Sequence, residues 1–505
     1  MKYPIIGIDF GSTNSVISAF DERTGTTEVL ANENGSLVTP SMVYFESMDT
    51  ILVGEIAQNA QLYQPQHVVD FVKRHLGTDY QFTYQHMKFS ATEIAGMIFR
   101  KLKNITELAL GDQVKDVVIT CPVYFGALQR DSLARAASIA GFNPLALLNE
   151  PTSAALAFGA TYDGKTRHYI VFHLGGDTFD VSILRVIDNS TIEVIASDGR
   201  ADLGGRYFDD AIVKFAIESF REKTNSGLAE NLNTLALLRH KAEEAKRRLS
   251  TNLSTSITLR IDKEVLGLVI SRAQFVAAIQ SDIELMRATI VNMLAESTLT
   301  TDDIQDVFLT GGSTFIPAVR EMVEGVFGRA ANIQIHPIEA AARGAAVYAG
   351  KLFASQANSV ASVAKYLPSI HDVLSHSIGI TAQQASGKPI NYVVLARGVA
   401  LPASAELKMA ASSDQQTSFR ISINEGEGDE LAYVRHIADI EHEFRSPKPK
   451  GYPITIKLVL DASGILKVMV LDADGQQEFQ YAIGDEISIE TQLSEAKAWL
   501  SRQEF

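Results

Sequence analysis

Only one cysteine, Cys121, stands in the 505 residues. It can form neither an internal disulfide nor a cysteine-rich metal site, which points to a reducing compartment. No apolar run approaches the roughly 18 residues that span a bilayer. Nothing near the start resembles a signal peptide, because a strand-like run begins by Ile5. The expected location is the cytoplasm, with no membrane partner. Positive charge is also scarce: 45 Lys and Arg face 60 Asp and Glu, a net charge of −15, and the basic runs are short. A nucleic-acid surface needs clustered Lys and Arg, so no nucleic-acid partner is expected.

What remains is the composition of an ordinary globular protein, 46% hydrophobic and 21% charged. Its length exceeds what one core usually supports, which predicts about two to four domains. The most informative stretch is His168 to Leu184. An alternating β-branched and aromatic run meets Gly175-Gly176-Asp177-Thr178, and a second alternating run follows, which predicts strand, tight turn, strand. Such a turn presents backbone N–H groups and a hydroxyl with no bulky side chain, the chemistry of a phosphate cradle. Ile5 to Phe20 repeats the pattern, with Gly11, Ser12 and Thr13 at its turn. The repeat predicts a duplicated core whose two hairpins face one polyphosphate. Asp9 ends the first strand of one copy, and His173 holds that place in the other.

Up to about residue 350, strand-like and helix-like segments alternate, the signature of α/β architecture. The strand Val117 to Thr120 leads through Pro122 into a helix from Gln129 to Ile139, ending at Gly141. Pro151 sits just inside the next helix start and leaves Glu150 at its mouth. Leu235, Leu238, Ala242, Ala245 and Leu249 mark an amphipathic helix whose other faces carry Glu243, Lys246 and Arg247. Val307 to Thr310 predicts a strand, and Gly311-Gly312-Ser313-Thr314 a turn into another helix. From Ala354 to His371 the end of a helix and a linker are expected. Thereafter the period is two, with strands at Ser377 to Ala382, Asn391 to Ala396, Thr417 to Ile423, Ile454 to Leu460 and Ile465 to Leu471. Asp461 to Gly464 joins the last pair as a tight turn. Residues 494–505 could make about three helical turns.

These pieces resemble the heat-shock protein 70 chaperone family over nearly the whole chain. Eight motifs stand in the family's order: Gly7 to Ser15, Phe71 to Gly77, Pro122 to Arg130, Asn149 to Ala155, Leu174 to Ser182, Ala242 to Ser250, Thr310 to Pro317 and Gly451 to Leu466. A glycine pair or a charged helix face alone would be a plain turn or a solvated surface; the joint order is what makes them specific. The resemblance implies an actin-like ATPase domain of two duplicated lobes (1–353), a linker (354–371), an all-β sandwich for substrate (372–485) and a short helical tail (486–505) without the family's helical lid. It implies ATP or ADP with Mg2+ as cofactors, extended polypeptide segments as substrate, and a J-domain co-chaperone and a nucleotide exchange factor as partners.

Carried onto this chain, the family's pattern places Gly11, Ser12, Thr13 and Asn14 on the phosphates from one side. Gly175, Gly176, Asp177, Thr178 and Gly204 approach from the other. Lys73 matches the lysine that positions the attacking water, with Glu150, Thr178 and His173 beside it as catalytic candidates. Asp9, Asp180 and Glu150 match the carboxylates around a hydrated Mg2+. Glu243, Lys246, Arg247, Ser250, Gly311, Gly312, Ser313 and Phe315 match the adenosine contacts, and Pro122, Arg130 and Asp372 a relay between domains. Ile378, Ile380, Phe419 and Ile421 fall at the peptide groove.

The chain also departs from the pattern. His173 replaces a family aspartate and Asp177 a glycine. An imidazole near phosphate tends to take up a proton and pair with the anion, where a carboxylate would attract a cation and its water. Phe315 replaces an arginine that sandwiches adenine, and Ile338 an aspartate. The leucine-rich linker is reduced to Pro368-Ser369-Ile370-His371, which predicts weaker docking for want of apolar area. Phe419 adds bulk to the central peptide pocket. The favoured expectation is a divergent, lidless ATP-binding chaperone with weak hydrolysis. The alternative is a regulatory or scaffold protein that binds ATP without useful turnover and serves one dedicated partner. A sugar or acetate kinase of the same superfold has no place for the β domain.

Overall fold

The computed structural model describes residues 5–159, 165–187, 191–224, 232–261, 264–356, 369–384, 386–472, 477–482, 494, 496–500 and 503. Its frame is a pair of sheets built the same way. In the first, β1 (Ile5–Phe10) turns into β2 (Asn14–Asp21) and β3 (Thr26–Val29). The helix α1 (Ala91–Leu110) then leads to β4 (Asp116–Cys121), α2 (Ala127–Ile139), β5 (Asn143–Asn149) and α3 (Glu150–Ala157). The strand order is β5-β4-β1-β2-β3, with β1 parallel to β4 and Ile6 opposite Val117. Burial on both faces by helices explains why β1 is a nearly continuous apolar run.

In the second sheet, β6 (Arg167–Leu174), β7 (Phe179–Ile187) and β8 (Thr191–Arg200) form the meander. The helices α4 (Gly205–Thr224) and α5 (Leu232–Leu249) precede β9 (Ile304–Thr310), which lies parallel to β6 with Ile170 opposite Val307. The helix α6 (Ala340–Gln356) then returns to cover β1, β2 and α3. These two α/β lobes are the duplicated core. Lobe I closes around Ile6, Ile8, Phe99 and Val117, and lobe II around Ile170, Phe172, Val181 and Phe208.

Local signals account for the boundaries. The Ser90 hydroxyl accepts from Glu93 N at 3.3 Å while the Glu93 carboxylate accepts from Ser90 N at 2.8 Å, a capping box that starts α1. Gly111, in the left-handed region at φ 66°, ends it. Ile94, Ile98, Leu102 and Ile105 supply its buried stripe.

Beyond α6 the chain departs from the linker expectation at its far end. Ser369–His371 is a strand, β10, that adds to lobe II beside β8, with Ile192 opposite Ile370. Backbone hydrogen bonding therefore docks this segment without the leucines. Residues 357–368 lie outside the described set. Two four-stranded sheets follow. One holds β11 (Ile378–Gln383), β12 (Pro389–Leu395), β14 (Gln416–Glu425) and β15 (Arg435–Lys448). The other holds β13 (Ala403–Ala410), β16 (Pro453–Leu460), β17 (Leu466–Asp472) and β18 (Gln477–Ala482). Ile423, Ile456, Leu458, Val468 and Val470 fill the space between them.

The sandwich sits on lobe I, and Arg130 of α2 is the centre of that contact. Its buried guanidinium donates to Phe125 O at 2.8 Å, to Ser463 O in the β16–β17 turn at 3.0 Å and to Asn149 Oδ1 at 2.7 Å. Asp372 accepts from Thr152 Oγ1 at 2.7 Å and Asn149 N at 3.2 Å, and Glu425 accepts from Ala127 N at 3.0 Å. At the other end, residues 496–500 are helical and set Ala496 and Leu500 into the core of lobe I. Trp499 stands 5.2 Å from Phe89, ring to ring.

Hydrogen bonds from a charged donor are each worth about 1.5–3 kcal/mol, and truncation leaves their buried acceptors unpaired. Arg130→Ala is therefore expected to release the sandwich from lobe I. Small-angle scattering should register a larger radius of gyration than the wild type; an unchanged radius would show that other contacts suffice.

Candidate functional site

The two hairpin turns meet between the lobes. At the first, Ser41 braces the turn from the side: its N–H donates to Thr13 O at 2.8 Å and its hydroxyl to Gly11 O at 2.7 Å. At the second, Gly175 N donates to Thr178 O at 2.9 Å and closes the loop. The start of α4 then fixes the loop from behind, with Gly205 N donating to Gly175 O at 3.0 Å and Arg206 N to Gly176 O at 2.7 Å. The Ser313 hydroxyl also donates to Gly175 O, at 2.8 Å. Close approaches call for glycine at these turns. A Cβ on Gly176 would stand 2.0 Å from Thr13 Oγ1 across the cleft, and one on Gly204 would stand 2.6 Å from Asp177 N.

Around this meeting point charge is concentrated. Lys73 Nζ donates to Glu150 Oε1 at 2.8 Å, and both side chains are buried. Burial works against the charge on Lys73, yet Glu150 and Asp9 hold its pKa above the ordinary lysine value. Burial likewise opposes ionisation of Glu150, and Lys73 and His173 overcome it and hold the carboxyl low. Asp9, bonded by Thr120 Oγ1 at 2.7 Å, is pushed up by burial and by Glu150. Asp180 is pushed well above the carboxylate range by burial and again by Glu150. Three buried carboxylates thus share one lysine.

The second hairpin brings His173 opposite Asp180 in register. The His173 ring is held on both sides, with Nδ1 3.0 Å from Thr310 Oγ1 and Nε2 3.7 Å from Glu150 Oε2. Thr13 Oγ1 and Asp180 Oδ2 are buried without a hydrogen-bond partner among the described residues. A hydroxyl and a carboxylate oxygen left so, beside a glycine cradle and a lysine, suit a polyphosphate and its divalent cation.

The residues expected at adenosine lie along α5 and the loop after β9, and several are already engaged. Lys246 Nζ donates to Asp209 Oδ2 at 2.9 Å and to Gly205 O at 2.7 Å. Arg247 pairs with Glu243 at 2.6 Å. The Ser250 hydroxyl donates to Lys246 O at 3.4 Å. Gly311, at φ 84°, turns the chain into Gly312–Phe315. Phe315 is exposed, 5.2 Å from the His336 ring.

With this geometry in place, comparison with known proteins is decisive. The family model described as Hsp70 protein matches residues 5–88 and 79–497. The Chaperone protein DnaK of Thermotoga petrophila is 34% identical over 508 residues, covering 98% of this chain and 83% of that protein. The DnaK of Thermosipho melanesiensis is 34% identical over 478 residues, covering 93% and 78%. The chain belongs to the Hsp70 family.

In this Hsp70, Arg130 and Asp372 meet through Asn149 at the seam between the domains, and Pro122, just after β4, accepts from Phe125 N at 3.1 Å, whose carbonyl in turn accepts from Arg130. The four expected at the peptide groove take different places. Ile378, Ile380 and Ile421 are buried in the sandwich core, while Phe419 packs on His442 and Phe444 at 5.1 and 5.4 Å. Four residues of the site went unassigned in the sequence reading. Tyr124 lies near Thr178 and Asp180, and burial pushes its phenol well above the usual value. Thr120 holds Asp9, Thr310 holds His173, and Arg74 pairs with Asp177 at 3.3 Å. Tyr124, Arg74 and Thr310 lie inside the motifs given above, and their neighbours there were the available signal. Among the described residues no helix is long and apolar enough to cross a membrane.

Burial pushes Asp209 up to about 7 against the pull of Lys246. A folded pKa above the unfolded value means that the stability from proton uptake is full below about 4 and lost as pH rises through 7. The melting temperature should therefore fall by a few degrees, about 2–4 °C, from pH 6 to pH 8. Asp209→Asn should flatten that slope; an identical slope in the variant would place the titration elsewhere.

Proposed function

We propose that this Hsp70 is an ATP-binding chaperone that holds extended polypeptide segments and turns ATP over weakly. The observation that carries the reading is His173, fixed between Thr310 and Glu150 at the place where the family keeps an aspartate. The orphaned Thr13 hydroxyl and the glycine-lined turns support phosphate binding by Gly11, Ser12, Thr13 and Asn14 on one side and Gly175, Gly176, Thr178 and Gly204 on the other. Asp9, Asp180 and Glu150 would hold Mg2+, largely through water. When bound, ATP with Mg2+ supplies the scissile terminal phosphoryl group and the cation that offsets the buried carboxylates.

The chain's own residues then divide the work. Lys73, held charged by Glu150, is placed to orient a water and to offset negative charge on the phosphate. Tyr124 brings a largely buried phenol close to Thr178 at the second turn. His173 brings an imidazole where a carboxylate would attract the cation's water, which weakens the alignment of the nucleophile. Burial of Ser463, Asp372 and Glu425 against α2 and α3 supports a path by which the nucleotide lobes influence the sandwich.

The proposal takes residues 1–353 as the nucleotide unit and 372–485 as the peptide unit, joined by 354–371, in a cytoplasmic protein served by a J-domain co-chaperone and an exchange factor. The aromatic packing of Phe419 supports a narrowed central pocket that favours fast peptide exchange.

Single-turnover hydrolysis should be slow in the wild type and rise by about tenfold in His173→Asp. Fast wild-type turnover, or no gain in the variant, would remove the role given to His173. Phe419→Val should tighten binding of an apolar fluorescent peptide, read by anisotropy with and without ATP. Wild-type peptide affinity that ignores ATP would instead identify a scaffold that binds one dedicated partner.

A further inference from the structure

Five residues flanking the phosphate turns join the lobes in a way that the proposed chemistry does not use. Lobe I contributes Phe71 and Arg74 from the segment around Lys73, whose Val72 and Leu76 are buried in the core of that lobe. Lobe II contributes Asp177 from the second hairpin turn, and Arg206 and Tyr207 from the start of α4. Arg74 Nε stands 3.3 Å from Asp177 Oδ2, and Arg74 Nη2 donates to the Tyr207 hydroxyl at 3.0 Å. The Arg206 guanidinium lies 4.3 Å from the centre of the Phe71 ring. Each of these three contacts crosses the cleft.

Two features show that the arrangement is built rather than incidental. Asp177 is 1% exposed, and neither of its oxygens accepts a hydrogen bond among the described residues. Its compensation is electrostatic: burial pushes its carboxyl up, and Arg74, Arg206 and Lys73 pull it down. In the closed cleft Arg74 is the cation paired with this carboxylate, and truncating it would leave a buried charge without its partner. Phe71, moreover, holds a left-handed backbone, φ 51° and ψ 27°, which an aromatic residue adopts only at a cost. That conformation is maintained while its ring lies under Arg206.

We infer that Arg74 and Asp177, seconded by Arg206 on Phe71, form an interlobe latch that limits how fast the cleft opens and so sets nucleotide residence time. The part concerning nucleotide rests on the proposed ATP binding; the latch itself rests on the contacts between lobes. A glycine at position 177 would leave Arg74 without its carboxylate.

The full chain carries the test. Leu108 on α1 and Leu253 beyond α5 are exposed on lobes I and II, and the one native cysteine, Cys121, is buried. Spin labels at Leu108→Cys and Leu253→Cys therefore report lobe separation without nucleotide. A narrow distance distribution is expected in the otherwise wild-type chain, and a longer, broader one with Asp177→Gly, Asp177→Asn or Arg74→Ala. Dissociation of fluorescent ADP should accelerate about tenfold in each variant. The Asp177→Gly, Arg74→Ala double variant should go no further than either single change. Unchanged distances, or additive effects in the double variant, would overturn the latch. Failure of every variant and of the wild type to bind ADP would refute the nucleotide reading instead, while the distances would still decide the latch.

Discussion

The buried pair of Lys73 and Glu150 is the interaction on which the site depends. It joins a turn of lobe I to the first residue of α3, and it lies beside Asp9, Asp180 and His173. Desolvating both charges is costly, and their attraction repays it only when the geometry is good and the remaining atoms are satisfied. Here one lysine faces three carboxylates, and the unequal directions of their pKa shifts express that shortage: Glu150 stays low while Asp9 and Asp180 are driven up. A site so arranged has unmet negative charge, which a divalent cation would relieve. His173 enters the same cluster, and its contact with Glu150 ties an unusual residue to the pair at the centre.

From this point the structure extends in two directions. Backward, α3 runs from Glu150 to Thr152, which donates to Asp372, so the carboxylate that holds Lys73 and the hydroxyl that holds the sandwich share one helical turn. Forward, the segment of Lys73 continues into Arg74, which meets lobe II at Asp177. The buried lysine, the domain contact and the interlobe contact are thus linked through short stretches of backbone.

Much of this was legible in the chain itself. The two hairpins, the α/β alternation and the capping signals on α2 and α3 follow from period, glycine and proline, and the Hsp70 motifs stand in order. Other elements left weak traces. β13 and β15 went unread because their alternation is blurred: Ala403–Ala410 is largely exposed, and Arg435–Lys448 is crowded with charge. The linker suggested weakened docking by its composition, whereas β10 docks by main-chain pairing that side chains do not reveal. The tail gave a helical pattern but no destination, and Trp499 reaches Phe89, more than four hundred positions away.

By itself, then, the sequence determined the duplicated glycine turns, the family, and the substitutions at 173 and 177, because those are properties of residue type and local spacing. Only the tertiary structure decided what each substitution touches. His173 was a mismatch between two repeats until Thr310 and Glu150 were found beside it. Asp177 was a misplaced carboxylate until Arg74 came across the cleft to meet it. The reason is physical: a hairpin is fixed by neighbours in sequence, but the energy of a buried charge is fixed by whichever partners the fold brings within a few ångströms.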